Sequence, residues 1–147
     1  DNDLVPNVDI SFTEYEDGQN VSIVDGVTLT PYKTIHYELD AYALRLESGN
    51  KALAYSGDST VSDGLEKSAK SADLFLCEAF RYVGQDSDMG HVSARDAAIT
   101  AQKADSKKLV LTHYSGNDSN SDIEAEARAS GFVGEISVAI DLDTYNL

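Results

Sequence analysis

Two regimes of hydrophobic spacing divide the chain. Up to about Tyr55, apolar and polar residues alternate, the period of a strand with one buried face. "VDISFTEYEDG" alternates as far as Asp17-Gly18, a hairpin turn signal. "VSIVDGVTLTPYKTI" repeats the pattern around Asp25-Gly26, and "AYALRLESGNKALAYSG" around Ser48-Gly49-Asn50. The reading is an antiparallel meander. After Asp58 the period changes. "STVSDGLEKSAKSA" places Val61, Leu65 and Ala69 on one helical face. "DLFLCEA" and "KKLVLTH" are short, nearly all-apolar runs, the signature of strands buried on both faces. "SARDAAITAQKA" reads as a helix with Ser93 as N-cap and Asp96 at N3, close to a capping box. "SDIEAEARASG" reads as a helix opened by Ser121 or Asp122 and closed by Gly131. "EISVAIDLDTYNL" supplies one or two final strands. A meander followed by β/α alternation predicts an α+β fold, a mainly antiparallel sheet with helices on one face.

Length and composition narrow the class. The 147 residues suit a single domain, and 41% hydrophobic content is enough for a real core. There are 26 acidic against 11 basic residues, a net charge of −15. Such a surface repels phosphate backbones and argues against nucleic-acid binding by this chain alone. The single Cys77 excludes an internal disulfide and a multi-cysteine zinc site. No apolar stretch approaches the roughly 20 residues needed to cross a bilayer. "DNDLVPN" lacks the charged and apolar regions of a signal peptide, so a cytoplasmic location is expected.

Chemistry-bearing residues recur at one structural place. Asp58 follows the strand "KALAYSG", Glu78 ends "DLFLCE", and His113 ends "KKLVLT". With the strands side by side, their C-terminal ends form one rim, the usual seat of chemistry in such sheets. His91 joins them from the loop before the Ser93 cap. Each residue alone has an ordinary explanation: Asp58 as a helix cap, Glu78 as a solvated strand end, His91 and His113 as loop residues. Together, Asp and His suit Zn²⁺ or Mn²⁺, and a carboxylate near a further His suits proton transfer during hydrolysis.

The ordered set "LAYSGDS", "ADLFLCEA", "GHVSARDAAITAQKA" and "KLVLTHYSGND" resembles the C-terminal half of the metallo-β-lactamase-fold hydrolases, in particular the branch containing ribonuclease Z and related phosphodiesterases. The resemblance extends from about Val21 onward. It implies that Asp58 is the carboxylate bridging two metal ions and His113 the last histidine ligand. It implies that His91 is the proton donor to the leaving oxygen and that Glu78 orients it. His36 matches a position near the site, for which a structural role is expected. "CEAF" and "HVS" depart from the family's motifs at Cys77, Phe80, Val92 and Ser93, which favours a smaller phosphodiester or another ester over tRNA 3′ processing.

The family's His-x-His-x-Asp-His motif is absent: the three histidines are His36, His91 and His113. Residues 1–147 are therefore expected to form one half-domain of an αββα sandwich, with an incomplete binuclear zinc site that is inactive or weakly active alone. Its expected partner is its own N-terminal half or a second copy, seated on an apolar sheet face. Two function classes stay open: part of a metal-dependent hydrolase, or a non-catalytic binding and assembly module of the same fold. A serine hydrolase built on Ser56 or Ser115 lacks the G-x-S-x-G elbow.

Overall fold

The computed structural model describes residues 11–147. Seven strands form one sheet in sequential order: β1 (Val21–Val24), β2 (Val27–His36), β3 (Leu39–Ser48), β4 (Lys51–Tyr55), β5 (Leu74–Glu78), β6 (Lys108–Thr112) and β7 (Glu135–Val138). Three helices connect the later strands: α1 (Asp63–Ala69), α2 (Ala94–Lys103) and α3 (Asn120–Ala129).

β1 to β4 pair antiparallel; the expected glycine turns join β1 to β2 and β3 to β4, while β2 and β3 meet at Tyr37-Glu38, with Tyr37 at φ +52°. Gly26 and Gly49 sit at φ +76° and +59°, the left-handed backbone that two-residue hairpins demand. β4 to β7 pair parallel, because each is reached by a helical crossover. Three of the six strand pairings are parallel, while the longest ladder, β2 with β3, is antiparallel, in keeping with the expected α+β sheet.

Local signals account for most boundaries. Ser93 caps α2, its hydroxyl accepting from the Asp96 amide at 3.2 Å. α1 is capped by Ser62, not Asp58, which removes the capping explanation for Asp58. α3 starts earlier than expected, capped by Ser119, whose hydroxyl accepts from the Asp122 amide. The C-terminal stretch yields one strand, β7.

The strand expected in "VDISFTEY" does not form at residues 11–16; Val8 to Ile10 lie outside the described residues. The Asp17-Gly18 turn takes the edge of β2 instead. The Gly18 amide donates to the Pro31 carbonyl at 2.7 Å, and the Lys33 amide donates to Asp17 Oδ1 at 2.7 Å. With those β2 groups satisfied, no ladder remains for the preceding residues.

One face of the sheet carries the core. Phe75 and Cys77 of β5, Leu109 and Leu111 of β6, and Ala54 of β4 pack against Leu65, Ala97, Ala101 and Ile123 of the helices. Alanines dominate α2's buried side, so it packs close to the sheet. Strand alternation puts Leu44, Leu46, Leu53, Tyr55, Leu76 and Val110 on the opposite face, in register across β3 to β6. Leu44, Leu46, Leu53 and Leu76 are only half-buried, and Tyr55 is exposed. That second apolar face has no helix over it among the described residues. No helix there is long and apolar enough to cross a membrane.

Candidate metal and catalytic site

Hydrogen bonding carries β4 beyond its last residue, as the Ser56 amide donates to the Leu76 carbonyl at 3.0 Å. Gly57 then turns at φ +59°, where an added Cβ would lie 3.1 Å from the Tyr42 carbonyl oxygen. The turn delivers Asp58 to the rim beside the ends of β5 and β6. His113 follows β6 directly, at φ +46°, a strained backbone for a non-glycine residue and typical of functional sites. His113 Nε2 lies 3.6 Å from Asp58 Oδ1, with both side chains close to half exposed. This is too long for a good hydrogen bond, yet the two donor atoms converge on one spot.

Glu78, the last residue of β5, is essentially fully buried. Its carboxyl oxygens lie 3.0 and 3.1 Å from His91 Nδ1. Glu78 Oε1 accepts the Ser59 amide at 2.6 Å, and Oε2 accepts the Phe80 amide at 3.4 Å. The carboxyl therefore ties the Asp58 turn to the His91 loop. Burial pushes Glu78 up to about 8, against its two amide donors, and the Asp58 and Asp88 charges add to the rise. Burial lowers His91, helped by His36 and His113, while Asp58 and Asp88 oppose the fall. A protonated Glu78 donating to Nδ1 leaves His91's ring proton on Nε2, the nitrogen free of Glu78.

The loop carrying His91 is held by Asp88. Asp88 Oδ1 accepts the amides of Gly90 and His91 at 2.9 and 2.8 Å, and Oδ2 accepts Arg81 Nη1 at 2.7 Å. Those amides, chiefly that of Gly90, hold the Asp88 carboxyl below its ordinary value. The third histidine is there too. His36 donates from Nδ1 to the Gly90 carbonyl at 2.9 Å, and its ring centroid is 5.0 Å from that of His91. Phe80 stacks on His113 at 5.1 Å and on His91 at 4.5 Å.

The expected four residues thus come together on one rim. Asp88 and Phe80 were not expected in it. The Asp-x-Gly-His spacing of Asp88 was a usable turn signal; Phe80 was marked only as a departure from the family's motif, with no place in the site. Ser56 is fully buried, with its hydroxyl donating to the Gly57 carbonyl and accepting from the Glu78 amide, which rules it out as a nucleophile. A surface cleft of about 430 Å³ lined by Glu66, Lys67 and Lys103 lies elsewhere, beside α1 and the end of α2.

Asp58 and His113 form a mixed oxygen and nitrogen pair of the kind zinc takes. The buried hydroxyl of Ser59, next to Asp58, and that of Ser115, two residues past His113, have no protein partner. The donor set fits part of a metal site: among the described residues no three His, Cys, Asp or Glu are placed to hold an ion.

The pH dependence of folding follows from Glu78. Its raised value favours the protonated carboxyl in the folded state, so its stabilising contribution is full below about 4.5 and is lost as pH rises through about 8. Glu78→Gln keeps a donor for His91 and an acceptor for the Ser59 amide but cannot ionise. Urea midpoints of wild type should fall relative to Glu78→Gln between pH 5 and pH 8; parallel profiles would show that Glu78 is already ionised at pH 5.

Comparison with known proteins identifies the family and the fold. The "Beta-lactamase superfamily domain" family matches residues 2–114. The probable metallo-hydrolase YhfI of Bacillus subtilis is 33% identical over 113 residues, 76% of this chain and 46% of that protein. Ribonuclease Z of Halobacterium salinarum is 32% identical over 139 residues, 92% of this chain and 42% of that protein. This chain therefore spans less than half the length of these curated relatives. Among solved structures, the metallo-β-lactamase fold protein YhfI from B. subtilis superposes with a TM-score of 0.77 at 29% identity, over 85% of this chain and 51% of that one. Human tRNase Z, short form, shares the fold with a TM-score of 0.62 at 22% identity, over 84% of this chain and 43% of that one. A rim of Asp, Glu and His at the ends of parallel strands, on a sheet that matches these proteins, leads to one assignment: the chain belongs to the metallo-β-lactamase superfamily, a family of metal-dependent hydrolases.

Proposed function

We propose that this chain is the C-terminal half of a hydrolase that cleaves a small phosphodiester, or another ester, at a binuclear zinc-type site. Mn²⁺ is the alternative ion. The observation that carries the reading is the convergence of Asp58 with His113 and of Glu78 with His91 on one rim. Asp58 and His113 would hold metal, and the remaining ligands would come from an N-terminal half. When bound, such ions supply Lewis-acid stabilisation of charge and a nucleophile at neutral pH.

The chain's own residues do the rest. Glu78 orients the His91 imidazole through Nδ1, so that Nε2 presents a proton to the departing oxygen. Asp88 fixes the backbone amides of Gly90 and His91 and sets the height of the ring above the rim. Burial of Glu78 keeps water from competing for Nδ1.

The likeness in length to half of its relatives also supports a partner for the second sheet face. In a sandwich, two sheets pack about 10 Å apart through apolar inner faces. We assign the face of Leu44, Leu46, Leu53 and Leu76 to the N-terminal half, or to a second copy where that half is missing.

Two ligands give a weak site, since zinc takes about four. Residues 1–147 alone should bind zinc weakly and hardly hydrolyse bis(p-nitrophenyl) phosphate. Joining the N-terminal half should restore both. Robust hydrolysis by residues 1–147 alone would overturn the reading.

A further inference from the structure

Phe80 stands where the site meets solvent. Its ring centroid is 4.5 Å from that of His91 and 5.1 Å from that of His113, and the two imidazoles are 5.7 Å apart. These distances form a nearly equilateral triangle. Phe80 therefore cannot lie between the histidines, which would hold them some two ring spacings apart. The phenyl ring is tilted 36° to the His91 ring and stacked at 21° on the His113 ring. Phe80 is nonetheless 39% exposed, so part of its ring is open to solvent. The backbone is pinned on both sides: the Ala79 amide donates to the Thr112 carbonyl at 2.9 Å, and the Phe80 amide to Glu78. The base of the ring is thereby held in place.

The surroundings give such a ring a use. The chain carries a net charge of −15, and Arg81, the cation next to Phe80, is engaged by Asp88 and by the Asp86 carbonyl. Charge on this rim offers little hold on the part of an anionic substrate away from the metal. A flat aromatic face does, because stacking is indifferent to the acidity around it. Tyr37, 51% exposed, extends the aromatic surface; its ring lies against Gly90, 6.0 Å from His91 by centroids.

We propose that Phe80 is a specificity-determining residue whose exposed ring packs against a planar ring of the substrate, so that the enzyme selects ring-bearing phosphodiesters or esters over aliphatic ones. This rests on the hydrolase reading above. The ring would sit beside both the proton donor and a metal ligand, which places it on the group bonded to the reacting centre.

Phenylphosphonate and methylphosphonate, neither of which is hydrolysed, separate the two ideas when titrated by calorimetry into the zinc-loaded intact protein. Wild type should bind the phenyl compound about tenfold or more tighter than the methyl one, the low end of ring stacking. Phe80→Leu should lose that preference, with methylphosphonate affinity and zinc content unchanged; Phe80→Tyr should keep it. Equal binding of the two phosphonates by wild type, or an unchanged preference in Phe80→Leu, overturns the platform and leaves the hydrolase reading standing. Binding of neither by the zinc-loaded protein overturns both.

Discussion

In the intact protein, His113→Ala and Asp58→Ala should each lower bound zinc and cut turnover roughly a thousandfold or more, whereas His91→Ala should keep its zinc and still lose turnover. The separation follows from the roles proposed for each side chain. Asp58 and His113 meet at 3.6 Å without a hydrogen bond, so neither stabilises the other's position and both are free to ligate. Removing one takes away a ligand, and the charge stabilisation that the ions give is worth several kcal/mol at about 1.4 kcal/mol per tenfold. His91 is held by Glu78 through Nδ1, and its proposed role is that of proton donor, not ligand. General acid catalysis contributes about 100- to 10,000-fold. Metal analysis beside steady-state rates measures both. Zinc loss in His91→Ala equal to that in His113→Ala would reassign His91 as a ligand.

Gly64→Ala should be the most damaging single methyl in the chain. Gly64 lies in the first turn of α1 and is buried against β2. A Cβ there would overlap the Lys33 carbonyl oxygen and press on its carbonyl carbon. Both are backbone atoms, held between β3 and the Asp17 turn, so no side chain can swing away. Helix propensity alone favours alanine by about 1 kcal/mol. Overpacking costs about 1–3 kcal/mol when side chains adjust and more when backbone must. Relief would lift α1 and uncover Leu65, whose burial is worth about 1.5–3 kcal/mol. A net loss of several kcal/mol is a large share of a typical 5–15 kcal/mol. Gly116→Ala is the control, with open space around it and ordinary backbone. Urea unfolding of the two variants should differ by several kcal/mol; equal midpoints would mean that α1 shifts at no cost.

Sequence alone determined the features that depend on near neighbours. The switch from alternation to helical spacing located β2 to β6 and all three helices, because burial on one face imposes its period on the residues that make it. Asp25-Gly26 and Ser48-Gly49-Asn50 fixed two hairpins, since only a few residues accept the turn's backbone. Asp58, Glu78, His91 and His113 were legible because strand ends are where a parallel sheet presents side chains. Tertiary structure decided the rest. The alternation of "ISFTEY" did not become a strand, because a strand needs a partner and the Asp17-Gly18 turn had already taken the edge of β2. Ser119 won the α3 cap from Ser121 and Asp122, three neighbours of comparable capping power that no local rule ranks. Half of the sheet is parallel because the helical crossovers set the strand direction. Phe80 reads in the sequence only as a departure from the family's motif after "CEA"; the meeting of β5, β6 and the His91 loop is what lays its ring beside two histidines. Glu78 is a charged letter at a strand end in the sequence. Its burial, and with it the raised affinity for a proton, comes from the Asp58 turn and the His91 loop closing over it; the Ser59 amide and the His91 ring, 19 and 13 residues away, are brought within hydrogen-bonding distance only by folding.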